Sequence, residues 1–580
     1  MKFWYNPNFI AIFFLVIFST FALYDLIKPG FYTSHDGETH TARIAQYYIA
    51  LEDGQFPPRW AKTLQGGLGS PIFVYIYPLP YLLGSAVHFL GISFTGSFKI
   101  IMAASFIFSA IFSYLWLKEL LSSSKAAFVG SMFYVWAPYR FSLIYVRGSL
   151  SETLAYTFLP LLFLTLTKLS KKISLMRIAT CALALAALLL SQNLIGYMAS
   201  LVIIVYVAIL AVNSKSLKFL AAAAIAALWG FLISSVTYIP VLFERKLIHF
   251  DELFQLVYRS HFVTLGQLIH SPWGYGFDLP GVVNDQISVQ IGLAHILVLV
   301  LASLLIVLLT VKTLISLKNS SHTRNISFAI FFTAVAFVAT FLTLENRFNI
   351  FIWDNFKPIE KIDIPWRFLG ITTLGISFLA AYIAKNVKSA AFTIFLIFAV
   401  IFANRNHLRI NKSIEYSDDY FFNYSGSATQ LNEFTPRTRY STGVTDAFVS
   451  PIESIKGNIL IYDFIRKSNE LSFKTQNNGP ARIQVNLIKF SNWQTFMDGK
   501  KFTTDPSIVD KSFSFAYRPD IDTSGLYELI IPAGSHKFDF RYQETNLRRI
   551  ADILSLVGLI SALVALFPPK RFKEESLVPI

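Results

Sequence analysis

The stretch Ser34-His35-Asp36-Gly37-Glu38-Thr39-His40-Thr41-Ala42-Arg43-Ile44 gathers carboxylates, imidazoles and a guanidinium in one place. Asp36, His40, Arg43 and Tyr47 are spaced 4, 3 and 4 residues apart, so a helix starting near Asp36 puts them in one stripe. Ile44, Tyr48 and Leu51 fall on the adjoining face. The pattern predicts an amphipathic helix lying on a membrane surface. A carboxylate there can take a proton from a hydroxyl, and the arginine can pair with a phosphate. Two plainer readings use the same residues. Asp36 can be a helix N-cap with solvated neighbours. His35, Asp36, Glu38 and His40 can hold a divalent cation, although zinc asks for cleaner ligand geometry.

A second acid lies in Tyr145-Val146-Arg147-Gly148-Ser149-Leu150-Ser151-Glu152, which follows Pro138-Tyr139-Arg140-Phe141. Glu152 opens an apolar helix, where a carboxylate complements the helix dipole. Charge near a membrane is costly, which favours a second site carboxylate facing the first. Farther on, Ile364-Pro365-Trp366-Arg367-Phe368 precedes a helix, and Arg367 beside Trp366 reads as an interfacial anchor or a lipid-phosphate ligand. The turns Gly54-Gln55-Phe56-Pro57-Pro58-Arg59-Trp60 and Gly66-Gly67-Leu68-Gly69-Ser70-Pro71 are rigid and punctuated by aromatic rings, as suits a headgroup zone. The loop 241–288, with His261, His270, Trp273, Asp278 and Asp285, could cover a site. Cys181 is the single cysteine, which excludes an intramolecular disulfide framework and multi-cysteine metal clusters.

The elements that must position these residues are membrane helices. The chain has 580 residues, 54% hydrophobic and 15% charged, with a mean hydropathy of +0.51; soluble chains carry about 25% charged residues. Apolar runs fall at about 9–26, 98–117, 125–138, 152–168, 174–191, 195–212, 217–240, 289–311, 326–343, 366–384, 389–404 and 550–567. The first reads as an uncleaved helix. A further run, 71–92, is interrupted by Pro71, Pro78 and Pro80. The net charge of +15 comes from Lys and Arg gathered in short loops such as 168–177 and 312–325, the positive-inside pattern; no basic stripe with interleaved aromatics suggests nucleic acid. Loop charge puts both ends of 28–97 on the outer side, so 71–92 is expected to be interfacial or re-entrant. The expectation is about twelve spans with both termini cytoplasmic. Residues 405–549 change character: alternating runs such as Leu471–Thr475, Ala481–Ile488 and His536–Tyr542 are separated by turns such as Asp498-Gly499. That predicts an extracytoplasmic antiparallel β sandwich, followed by a final helix and cytoplasmic tail over 550–580.

Taken in order, His35-Asp36…His40…Arg43, Gly54…Pro57-Pro58-Arg59-Trp60, Gly67…Gly69…Pro71, Tyr77-Pro78, Arg147-Gly148…Glu152 and Pro365-Trp366-Arg367-Phe368 resemble the 6-pyruvoyl-tetrahydropterin synthase-related membrane domain family. That family looks like a branch of the GT-C glycosyltransferase superfamily near the YfhO-type proteins. The resemblance covers roughly residues 8–400, and Lys489–Tyr542 is similar to the C-terminal domain of YfhO-type proteins. Nothing matches the histidine triad of the soluble pterin synthase. The resemblance implies a GT-C-like transmembrane domain over 1–404 with juxtamembrane helices within 34–92. It implies transfer of a sugar from a polyprenyl-phosphate-linked donor to an extracytoplasmic glycan, lipid or protein at the cell membrane. Asp36 and Glu152 would be the catalytic acids, and His35, His40, Arg43, Arg59, Arg147, Trp366 and Arg367 would contact substrate. Relatives often carry His-Asn where this chain has Gln192-Asn193. Two other functions fit a chain of this kind: a lipid-linked glycan flippase, which would need charges deep inside helices, and a non-catalytic envelope assembly protein acting through its β domain.

Overall fold

The computed structural model describes residues 6–253, 256–276, 287–316, 322–427, 429, 432–438, 449–502 and 525–567. Asp278 and Asp285 of the covering loop and the basic tail lie outside these residues.

A helix occurs at each of the twelve apolar runs taken as spans. Among the described residues seven are long and apolar enough to cross a membrane. The pair Leu217–Ile233 and Ser235–Leu247, bent by 74° at its junction, makes an eighth. Pro7–Ala22, Leu175–Ser191 and Ile326–Phe341 are apolar but shorter. Ser124–Val135 has only 12 residues and rises about 18 Å. The 71–92 region breaks into Ile72–Tyr75 and Leu79–His88, because Pro78 and Pro80 cannot continue a helix from the preceding turn. The ten-residue piece rises about 15 Å, too little for a hydrocarbon core roughly 30 Å thick.

Burial sorts the helices into an inner and an outer set. The apolar windows of Leu150–Lys171 and Pro365–Asn386 are 89% and 94% buried, whereas that of Asn546–Leu566 is 22% buried. The two inner helices therefore run through the middle of the bundle. Each carries in its first turn a residue singled out by sequence, Glu152 and Arg367.

The helix Gly37–Glu52 corrects one expectation. It does not lie exposed on a surface: eleven of its residues, including His40, Arg43, Ile44 and Tyr47, are buried. The Leu79–His88 and Phe94–Leu121 helices and the short Asp418–Phe422 helix pack against it. Its stripe faces protein because those neighbours supply a tyrosine and aromatic rings that hydrated headgroups would otherwise replace.

Among the described residues the first part of the expected 405–549 domain is not sheet. Between 405 and 449 the only described strand of two or more residues is Ser413–Ile414, paired antiparallel with Phe31–Tyr32. The aromatic residues of this segment pack on the membrane domain: Tyr416 and Phe421 lie 5.8 and 6.2 Å from Phe31, and Phe422 lies 5.0 Å from Phe94. The sheets begin at Ile452. One runs Ile459–Arg466, Glu470–Asn477, Gly534–Tyr542, Trp493–Met497, Lys500–Lys501; the other runs Ile452–Lys456, Ala481–Ile488, Leu526–Ile531. All described pairings are antiparallel. Phe473, Phe538 and Phe540 of one sheet and Ile483, Val485 and Leu529 of the other are buried. Tyr527 meets Phe540 edge-on at 5.3 Å, which joins the two sheets into one core.

Candidate functional site

Chain geometry at Gly148 builds the site. His35 donates its backbone N–H to the carbonyl of Val146 (3.1 Å), and Asp36 donates to that of Arg147 (2.7 Å). This backbone pairing brings two loops, more than a hundred residues apart in sequence, into contact. Gly148 has φ +61°, and a Cβ there would sit 2.6 Å from Ser34 Oγ and 2.9 Å from the backbone of Gly37. Both the left-handed backbone and the close approach require glycine. A π-helical turn over Ser142–Val146 precedes it, a local irregularity common at functional sites.

The side chains follow from that pairing. Asp36 stands at the helix N-cap but its carboxylate does not cap the helix. Instead it pairs with Arg147 Nη2 at 3.3 Å. Arg147 Nη1 reaches Glu152 Oε1 at 2.5 Å, and Arg367 Nε reaches the same oxygen at 3.2 Å. Arg367 Nη1 also pairs with Asp363, one turn earlier in sequence. Tyr139 donates to Glu152 Oε2 (3.1 Å). Arg147 lies over the Trp366 ring at 5.2 Å. The two carboxylates are not equivalent: the Glu152 side chain is 1% exposed and that of Asp36 is 26% exposed. Glu152 is a buried anion between two guanidiniums, whereas Asp36 meets the outside.

A second polar group continues from this one. Tyr77 donates to Ser151 Oγ (2.9 Å), and its ring stacks on that of Tyr81 at 6.1 Å. His40 Nδ1 and Arg43 Nη1 each lie 3.1 Å from the Tyr81 hydroxyl. Burial, with Arg43 and Arg147 nearby, holds the His40 imidazole well below its usual pKa, so it is neutral. Glu433, from the segment before the sheets, accepts from the Thr429 hydroxyl, and burial raises its carboxyl pKa.

The structure thus brings together Asp36, Arg147, Glu152, Trp366 and Arg367, with His40 and Arg43 beside them. His35 flanks the group, its Nε2 3.3 Å from the carbonyl of Tyr275. Arg59 does not join it. Its guanidinium is taken by Glu544 (3.2 Å) and Asp552 (2.6 Å) at the start of the last helix. A buried arginine goes where carboxylates neutralise it, and here those are supplied by the chain's far end. The divalent-cation reading of His35, Asp36, Glu38 and His40 also fails on geometry. His35 turns to Tyr275, Asp36 to Arg147, Glu38 to Tyr416 and Tyr420, and His40 to Tyr81. Among the described residues no three His, Cys, Asp or Glu side chains are grouped to hold a metal. Sequence reasoning missed Asp363, Tyr139, Tyr77 and Tyr81 as members of the site. Asp363 carried a signal, four residues before Arg367, the spacing of a helical ion pair.

Comparison with known proteins gives three findings. A family model described as the 6-pyruvoyl-tetrahydropterin synthase related domain, a membrane protein, matches residues 73–411. An uncharacterized protein of Lactococcus lactis subsp. cremoris (strain MG1363) is 26% identical over 219 residues, which is 37% of this chain and 35% of that protein. The cryo-EM structure of the arabinofuranosyltransferase AftD from Mycobacteria is similar over 69% of this chain and 27% of that chain, with 11% identity and a TM-score of 0.36. The matched part spans about a third of the Lactococcus protein and about a quarter of the mycobacterial chain. A TM-score of 0.36 does not establish a shared fold.

Proposed function

We propose that this chain, which belongs to the 6-pyruvoyl-tetrahydropterin synthase related family of membrane proteins, is a glycosyltransferase that moves a sugar from a polyprenyl-phosphate-linked donor to an extracytoplasmic acceptor. The observation that carries the reading is the grouping of a partly exposed carboxylate, Asp36, with two arginines, Arg147 and Arg367, held by one buried glutamate. The order of motifs along the sequence supports it.

The roles follow from charge and exposure. Asp36 takes the proton of the acceptor hydroxyl as the acceptor oxygen bonds to the anomeric carbon. The bond from that carbon to the phosphate oxygen breaks, and the electron pair leaves with the phosphate. Arg147 and Arg367 meet the negative charge that develops on the leaving phosphate, where fixed cations lower the barrier. Attack opposite the leaving group inverts the anomeric centre. Glu152 is a positioning residue: with both guanidiniums on one oxygen and Tyr139 on the other, it orients the arginines and is not available as a base. Trp366 fixes the plane of Arg147 from below.

Transfer from a labelled polyprenyl-phosphate sugar in membranes tests this. Asp36→Asn keeps the shape and removes the base, and should lower turnover by about 10²–10⁴-fold. Turnover within about twofold of the wild type would remove Asp36 from the mechanism.

A further inference from the structure

The segment linking the membrane domain to the β sheets forms a groove against the first turn of the Gly37–Glu52 helix. Five anchors hold it. Ser413–Ile414 pairs with Phe31–Tyr32. Asp418 accepts the backbone N–H of Phe94 at the start of a membrane helix (2.8 Å). Thr63 donates its hydroxyl to the carbonyl of Tyr424 (2.6 Å). Gln65 and Gly66 donate backbone N–H groups to the carbonyls of Gly426 (3.0 Å) and Ser425 (2.6 Å). Between these ties lies an open cavity of about 450 Å³ lined by Glu38, Asp419, Tyr420, Asn423, Tyr424 and their neighbours. Its volume is that of a small-molecule site, roughly 300–1,000 Å³. Glu38 lies in the first turn of the helix whose N-cap position is Asp36, two residues on.

The lining selects a ligand by its chemistry. Glu38 is fixed by the hydroxyls of Tyr416 (3.2 Å) and Tyr420, and those two rings stack at 4.3 Å with planes 7° apart. Tyr424 stands edge-on to Tyr420 at 6.0 Å. Asn423 donates to the Asp419 carboxylate (3.0 Å) and keeps an amide oxygen that can accept. Two carboxylates repel an anion such as a phosphate. Two carboxylates without a third ligand do not make a cation cage. What the groove offers is acceptor oxygens, an amide and phenol rings, each with an apolar face and a polar edge. A neutral sugar presents the complement: rows of hydroxyls that donate, and C–H faces that rest on rings.

We propose that this groove binds a neutral carbohydrate, the acceptor glycan, and delivers its hydroxyl to Asp36. The role of acceptor rests on the transferase reading; the binding of a neutral sugar does not.

The test uses the full chain, purified in a detergent with a sugar-free headgroup and fluorescently labelled, on an array of neutral and anionic oligosaccharides. The wild type should retain at least one neutral oligosaccharide. Asp419→Ala/Asn423→Ala, at solvent-facing positions, should weaken that binding at least about tenfold, the loss expected for one charge-assisted hydrogen bond. Asp419→Asn, which keeps the shape, should weaken it to a lesser degree. The proposal is overturned if no neutral glycan binds, if only anionic ones do, or if the double variant binds as well as the wild type with an unchanged unfolding temperature. If Asp36→Asn still transfers sugar while the double variant loses glycan binding, the catalytic role of Asp36 falls and the carbohydrate site stands. If Asp36→Asn is inactive and the double variant binds normally, the groove proposal falls alone.

Discussion

Replacing Glu152 by Gln separates a positioning carboxylate from a catalytic one. The substitution keeps volume and removes the charge that two guanidiniums share, at 2.5 and 3.2 Å and with 1% exposure. Breaking a buried ion pair by removing one partner costs about 3–5 kcal/mol. Here each arginine retains a second carboxylate, Asp36 for Arg147 and Asp363 for Arg367, so the cost should fall near the low end, about 3 kcal/mol. In a chain of this size that lowers the unfolding temperature by roughly 2–3 °C. Asp36→Asn removes one partly exposed contact at 3.3 Å and should cost no more than about 1 kcal/mol. The transfer assay should divide the same way. Glu152→Gln loosens the phosphate cradle and should raise KM for the lipid donor along with any loss in kcat. Asp36→Asn should act on kcat, because proton removal occurs only in the transition state. Thermal unfolding in detergent and donor titration in membranes read the two effects. Glu152→Gln with an unfolding temperature within about 1 °C of the wild type and an unchanged donor KM would refute the assignment of Glu152 as the shared anchor.

Gly148→Ala should destabilise the fold by about 1–2 kcal/mol from its left-handed backbone alone. The clash with Gly37 and Ser34 adds to that, and thermal unfolding together with lost transfer should report it. Arg59→Ala should lower stability while leaving the donor KM unchanged, because its partners are Glu544 and Asp552; a raised KM with unaltered stability would return Arg59 to the site. His40 has a folded-state pKa held well below its usual value by burial. The unfolded chain therefore takes up a proton below about pH 6.5 that the folded chain does not. Stability should fall as pH drops below that point, by up to about 1.4 kcal/mol per pH unit. His40→Gln should flatten this slope, and an unchanged slope in unfolding measured from pH 7 to 5 would assign the acid sensitivity elsewhere.

The stripe of Asp36, His40, Arg43 and Tyr47 was legible because a helical period depends only on spacing. The break in 71–92 was legible because proline acts locally. What covers the stripe was not legible. The helix Gly37–Glu52 looked amphipathic, and only the packed fold reveals that its polar side meets Tyr81 and Arg147 instead of water. Arg59 was misread for the same reason, since its two carboxylates lie almost five hundred residues away in sequence. Tyr416 and Phe422 pack on Phe31 and Phe94, contacts between residues more than three hundred apart that local spacing does not announce. Gly148 is the clearest link from sequence to site: one residue without a side chain lets Asp36 and Arg147 meet.

A structure of the full chain with a polyprenyl-phosphate lipid bound would test the central claim most directly. The account predicts the phosphate within hydrogen-bonding distance of both Arg147 and Arg367, with the Asp36 carboxylate facing the position of the anomeric carbon. A phosphate held elsewhere, with Arg147 and Arg367 still closed on Glu152, would contradict it.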